Sequence, residues 1–185
     1  PMISVAAPPA ADVDEGAMYF VNYSPVPSPS GSPTVFVARW DLHRAIERWP
    51  LDGLPPIDTF HDIKCSADHL VFADLPFAAG PETFVGAPRT TPNGDVTQLF
   101  VVAKADLRAT PPGRPVPVTT IRLPMPTGHL HVDVDEPDGL LTVQLEHIPL
   151  GDLMVMLHAG ERTHNGTVVP PDYEGVVSLG VQPGA

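Results

Sequence analysis

The chain has 185 residues, 43% of them hydrophobic, and a formal net charge of -12 that comes from 15 Asp and 7 Glu set against 8 Arg and 2 Lys. Those ten cations are scattered singly, so no basic stripe exists for nucleic acid or an anionic lipid surface, and direct DNA or RNA binding is excluded as a function class. One cysteine, Cys65, rules out an intrachain disulfide, and no run approaches the roughly 20 apolar residues a membrane-spanning helix needs.

This charge balance carries more than a partner exclusion. An Asp-rich surface with only Lys64 and Lys104 as lysines repels itself in dilute buffer, and concentrated salt relieves the repulsion by cutting the Debye length to about 3 Å at 1 M. A high-salt habitat is the expectation, against the plainer reading of an ordinary acidic protein. The length suits one domain over residues 1–185, large enough to bury roughly 70% of the surface its unfolded form exposes without a disulfide or metal staple. The start, PMISVAAPPA, lacks the basic region and long apolar run of a secretory signal, and a leading Pro1 fits a trimmed initiator Met, so a complete mature chain is expected.

The 25 prolines and 15 glycines are spread between short apolar runs, the punctuation of a chain built from strands. Alternating or continuous β-branched runs predict strands at Ala17–Tyr23, Thr34–Trp40, Leu70–Ala73, Thr83–Gly86 and Val96–Ala103. Further strands are predicted at Val116–Leu123, Leu130–Val134, Leu140–Ile148, Leu153–Leu157 and Val176–Val181. Between the first two lies SPVPSPSGSP, residues 24–33, too rich in Pro and Ser for a ladder and read as a loop. Residues 41–49 break the β pattern: Leu42, Ala45, Ile46 and Trp49 recur at helical spacing behind a capping Asp41 and ahead of Pro50, predicting one short helix whose Leu42, Ile46 and Trp49 face the core. Asn-Gly pairs within Thr90–Asp95 and Thr163–Thr167 predict tight turns between antiparallel neighbours. With no internal repeat, the expected fold is all-β, a single jelly-roll sandwich or barrel with one inserted helix.

Three constellations could carry chemistry. His129 and His131 sit two apart on a predicted strand, which puts both imidazoles on one face, and Glu136 follows, an arrangement that resembles the first half of a cupin metal motif. The match is partial: Leu123 and Val143 stand where that motif has glycines, and Met154 stands where its last ligand belongs, leaving His147, His158 and His164 only by chance geometry. Asp133, Asp135, Glu136 and Asp138 precede Gly139 in an acidic turn whose spacing is wrong for an EF-hand and which reads as solvated charge. Cys65 has His61 and His69 four residues to either side, on one face of an extended segment, but no GxSxG, phosphate loop, dinucleotide fingerprint or zinc-finger spacing occurs. The expectation is therefore no catalytic, cofactor or metal residue, with Cys65 either buried or bridged to another subunit. Asn22 and Asn165 match the glycosylation sequon, a sign of surface position at most.

In length, composition and strand order the whole chain resembles the small major capsid protein of the haloarchaeal icosahedral viruses with an internal membrane, the sphaerolipovirus group. The resemblance implies an upright single jelly roll in the virion, not an enzyme and without cofactor. It also implies pairing with copies of itself and with a second, larger capsid protein, close to the internal membrane and away from the genome. A cupin-type metal enzyme and a surface ligand-binding β-sandwich are the alternatives; the first predicts metal at His129 and His131, the second an accessible pocket.

Overall fold

A computed structural model describes residues 4–5, 8–27, 33–54, 59–75, 97–123 and 127–147, together with 160, 168, 170 and 171. The described chain is predominantly β. Twelve strands run in the order β1 (Ser4–Val5), β2 (Ala10–Asp12), β3 (Ala17–Pro27), β4 (Pro33–Trp40), β5 (Glu47–Asp52) and β6 (Thr59–Cys65), then β7 (His69–Leu75), β8 (Thr97–Ala103), β9 (Val116–Pro117), β10 (Thr119–Leu123), β11 (Thr127–Val132) and β12 (Val143–His147). A single α-helix among the described residues, α1 (Lys104–Ala109), follows β8 directly.

The strands form three layers. The first sheet has the order β1-β3-β4-β5-β9, with β2 also on β3; the second has the order β10-β8-β7-β6; and β11 pairs with β12 as a hairpin. In the first sheet side chains alternate, so Tyr19, Val21, Val35, Val37, Trp49 and Leu51 point into one core and meet Phe60, Leu70, Phe72, Phe100 and Val102 of the second. Phe60 packs edge-on against Phe72 and Phe100, with centroids 5.3 and 5.7 Å apart. The second sheet is covered on its other face too, where Val71, Ala73 and Leu99 meet Leu130 and the partly buried Val132, Val143 and Leu145 of the hairpin. Burial on both faces is why β7 and β8 read as continuous apolar runs, LVFA and LFVVA, without alternation.

The strands expected from Ala17, Thr34, Leu70 and Val96 are present, each within a few residues. The run from Val116 divides at Val118 into β9 and β10, Leu130–Val134 starts earlier and ends at Val132, and Leu140–Ile148 is reduced to β12. Thr83–Gly86, Leu153–Leu157, Val176–Val181 and the two Asn-Gly turns lie outside the described residues. Part of the expected loop at 24–33 is strand: β3 continues to Pro27, which pairs with Pro33 of β4 after a register shift beyond Tyr23. That break in the ladder accommodates prolines that a regular central strand would reject.

The helix expected at 41–49 is not there. Asp41 does cap, its carboxylate accepting the amides of His43 and Arg44 at 3.1 and 2.8 Å, but the turn goes no further. Leu42 sits at φ 66 and is 52% exposed, Ile46 is also exposed, and residues 47–52 form β5. The reason is pairing: Arg39 opposes Glu47, Val37 opposes Trp49 and Phe36 opposes Pro50, so Trp49 reaches the core as a strand residue two before Leu51. The helical spacing of Leu42, Ala45 and Ile46 was coincidental; the period-2 set Glu47, Trp49, Leu51 decided the segment.

Candidate functional site

One cluster of buried polar groups surrounds the turn Ser66-Ala67-Asp68 between β6 and β7, while Asp74, Thr97 and Thr127 are buried toward the other end of the same sheet. Lys104, 1% exposed, enters from one side. Its ammonium donates to the Asp12 carboxylate and to the carbonyls of Ser66 at 2.5 Å and Ala67 at 3.3 Å, and it lies 5.7 Å from the centre of the Tyr19 ring. Its backbone amide donates to the Asp68 carbonyl at 2.8 Å. All three ammonium donors therefore have acceptors, the condition under which a buried charge is tolerated.

Glu136 closes the same turn from the other side. Its side chain is 4% exposed, and it accepts from the Ser66 hydroxyl, from the Asp68 amide at 3.2 Å and from the His69 ring, whose Nδ1 lies 2.9 and 2.8 Å from the two carboxylate oxygens. The Ala67 amide donates to the Val134 carbonyl at 2.7 Å, completing the attachment of segment 133–136. Burial pushes the Glu136 pKa up, but the hydrogen bonds from Ser66, His69 and the Asp68 amide outweigh it and leave the carboxyl below its ordinary range.

Helix α1 connects this cluster to a cleft. Lys104 and Arg108, four residues apart, lie on one helix face. They meet two carboxylates three apart, one at the end of β2 and one in the turn that follows: Lys104 pairs with Asp12, and Arg108 with Glu15. Asp12 also accepts the Glu15 amide at 3.0 Å, which fixes that turn. Glu15 in turn accepts the Tyr19 hydroxyl at 2.6 Å and Arg39 Nε at 3.4 Å, and Arg39 reaches Glu47 at 3.2 Å. Burial followed by the hydrogen bond to Glu15 raises the Tyr19 pKa, keeping the phenol protonated as the donor. Glu15, Tyr19, Arg39, Glu47 and Arg108, with Trp49, Leu107, Thr110, Pro111 and Pro112, line a cleft of about 530 Å³. The Trp49 indole donates to the Thr110 carbonyl at 2.8 Å and so satisfies a group just past the helix end.

The histidine set is not assembled. His129 and His131 do share an exposed face of β11, with Leu130 buried on the other, but Glu136 is held by His69 and Ser66 instead. His129 Nδ1 lies 3.6 Å from the buried carboxylate of Asp62, which also takes Lys64 at 2.6 Å. Among the described residues no group of three or more His, Cys, Asp or Glu side chains is placed to hold a metal. The side chains of His147, His158 and His164, and that of His61 beside Cys65, lie outside the described set. Cys65 is half-buried, its thiol donates to the Ala11 carbonyl at 3.3 Å, and burial raises its pKa, so it stays a thiol at neutral pH. Asn22 is 6% exposed, which removes its sequon from the surface; Asn165 is not among the described residues.

The acidic turn stands out in the sequence as charge, and nothing local indicates that its buried member, Glu136, pairs with Ser66 and His69 rather than with His129 and His131. The pairing of Lys104 with Asp12 had no local signal, because the partners are 92 residues apart. Comparison with known proteins finds no matching family model, no significantly similar curated protein and no significantly similar solved structure.

Proposed function

We propose that this chain is a structural capsid subunit of a haloarchaeal virus, a single jelly roll that co-assembles with copies of itself and with a larger second capsid protein into an icosahedral shell close to an internal membrane. The observation that carries this reading is how the chain spends its polar groups. Lys104, Asp12, Glu136, His69 and Ser66 fasten remote segments to one another at one end of the sandwich, a mechanical use of chemistry-bearing side chains. Both lysines are committed to buried aspartates, Lys104 to Asp12 and Lys64 to Asp62, so the acidic surface expected of a molar-salt protein is not diluted by free lysine.

The test is to purify virus particles from infected haloarchaeal cultures and identify this chain by mass spectrometry. It is expected in the virion in near-stoichiometric amount with a second β-rich protein, and cryo-electron microscopy should place the sandwich in the shell. A chain found only as a cellular monomer, with bound metal or substrate turnover, would overturn the proposal.

A further inference from the structure

The cleft beside Glu15 holds two carboxylates and two guanidiniums, and the guanidiniums have donors left over. One Glu15 oxygen takes Arg108, the other takes the Tyr19 hydroxyl and Arg39, and Glu47 takes Arg39 again. A guanidinium carries five N–H donors. These bonds occupy one on Arg108, whose side chain is 55% exposed, and two on Arg39, which also donates to the Tyr19 oxygen. The same cleft is lined by the apolar Leu107, Pro111, Pro112 and Trp49. The complementary ligand presents carboxylates beside a short apolar side chain.

The turn 133–140 presents that chemistry. Asp133, Asp135 and Asp138 are exposed, and Val134 and Leu140 are the most exposed large apolar residues of the described chain after Val13, at 66% and 67%. The turn is also rigidly held. Glu136 is bound to Ser66, Asp68 and His69, and the Asp133 amide donates to Thr142 at 3.2 Å. The amides of Gly139 and Leu140 close back on Glu136 and Pro137 at 3.0 and 3.1 Å. Such preorganisation lowers the entropy cost of docking. The turn does not line the cleft of its own chain. Two acidic copies meet most favourably where guanidinium is set against carboxylate, and these two surfaces do so while burying exposed apolar side chains.

We infer that the turn 133–140 of one copy docks into the Glu15–Arg108 cleft of a second copy, Leu140 on the apolar floor and Asp135 and Asp138 facing Arg108 and Arg39. The contact joins unlike surfaces, so it is head-to-tail and propagates into a ring or a lattice. It rests on the shell reading for its setting, and specifies which surfaces of the self-partner meet.

The test is self-association of the purified chain in molar salt, by sedimentation velocity, for wild type, Arg108→Glu, Asp135→Arg and the double variant. Each single change is expected to weaken association by about tenfold or more, and the double variant to regain most of it through the reversed pair. Leu140→Ser should weaken it without changing charge. Circular dichroism and melting establish that each variant is folded; Asp135→Arg lies on an exposed turn and serves if Arg108→Glu does not fold. A monomeric wild type, singles that associate like wild type, or a double variant as weak as the singles would overturn the contact. Oligomers insensitive to the swap leave the shell reading standing, whereas swap-sensitive oligomers from a chain missing from virions would keep the contact and remove the shell.

Discussion

Lys104 and Asp12 form a fully enclosed ion pair that joins the first helical residue after β8 to the end of β2, across 92 residues of sequence. The ammonium also holds the carbonyls of Ser66 and Ala67, so one side chain ties three segments together. Arg108, one helical turn later, repeats the connection to Glu15 at the cleft. The short helix thereby acts as a two-point clasp, and the cleft geometry depends on the buried pair.

Lys104→Met should be the more damaging half of this pair. It strands the Asp12 carboxylate and frees the buried Ser66 carbonyl and that of Ala67, an uncompensated loss of about 3–5 kcal/mol. Asp12→Asn retains an acceptor for the ammonium and should cost less, while Lys104→Met combined with Asp12→Leu should recover part of the loss. Chemical denaturation of the three variants in molar salt checks the order; a Lys104→Met protein as stable as wild type would contradict the described pair.

Acid should release the same end of the molecule. For Asp12, Glu15 and Glu136, burial favours the neutral acid, but hydrogen bonds and nearby cations win, and each folded pKa lies below its ordinary value of 3.8 for Asp or 4.5 for Glu. Groups with depressed pKa contribute their full stability above the unfolded value and lose it as pH falls through the folded one. The melting temperature is therefore expected to be flat from neutral pH down to about 5 and to drop below it. Glu136→Gln should be less stable at neutral pH and show a shallower acid drop, with amide exchange accelerated first in residues 133–142. An acid limb unchanged by Glu136→Gln would remove that residue from the transition.

How much of this was legible in the sequence follows from where the information lies. β3, β4, β7 and β8 were readable because their apolar patterns are local and, in β7 and β8, enforced by packing on both faces. β6 was not, because a register shift between Phe60 and Ile63 puts both in the core three residues apart and breaks the period-2 pattern. Helix α1 is six residues long and follows an apolar strand without a capping side chain, which leaves no start signal. The acidic turn stood out by composition, but that Glu136 alone of its carboxylates faces inward depends on Ser66 and His69, some 70 residues away.

Salt should stabilise the fold over a wide range. A charge of -12 with both lysines engaged at buried aspartates leaves little to offset repulsion among the surface carboxylates, and screening supplies what the sequence does not. The melting temperature is expected to fall steadily from molar salt to 0.1 M, where the Debye length is about 10 Å. A melting temperature indifferent to salt would detach the composition from a high-salt habitat.

Cys65 offers the last test, because its surroundings favour one fate over another. The thiol is half-buried, donates to the Ala11 carbonyl at 3.3 Å, and has its pKa raised by burial despite the nearby Lys104 charge. Thiolate is the reactive form, so alkylation in the folded state should be slow at neutral pH and accelerate on unfolding. Oxidation of Cys65 by an added oxidant, the step that would pair it with a second copy's thiol, proceeds through the same thiolate, so Cys65 should stay unpaired under mild oxidation, and non-reducing electrophoresis of the native assembly should give a monomer band. Cys65→Ser should keep the bond to Ala11, with a melting temperature close to wild type. A dimer band abolished by Cys65→Ser would show that the thiol opens to a neighbour on assembly. Rapid labelling together with a turnover lost in the Ser variant would contradict a structural role altogether and return the enzyme alternative to the foreground.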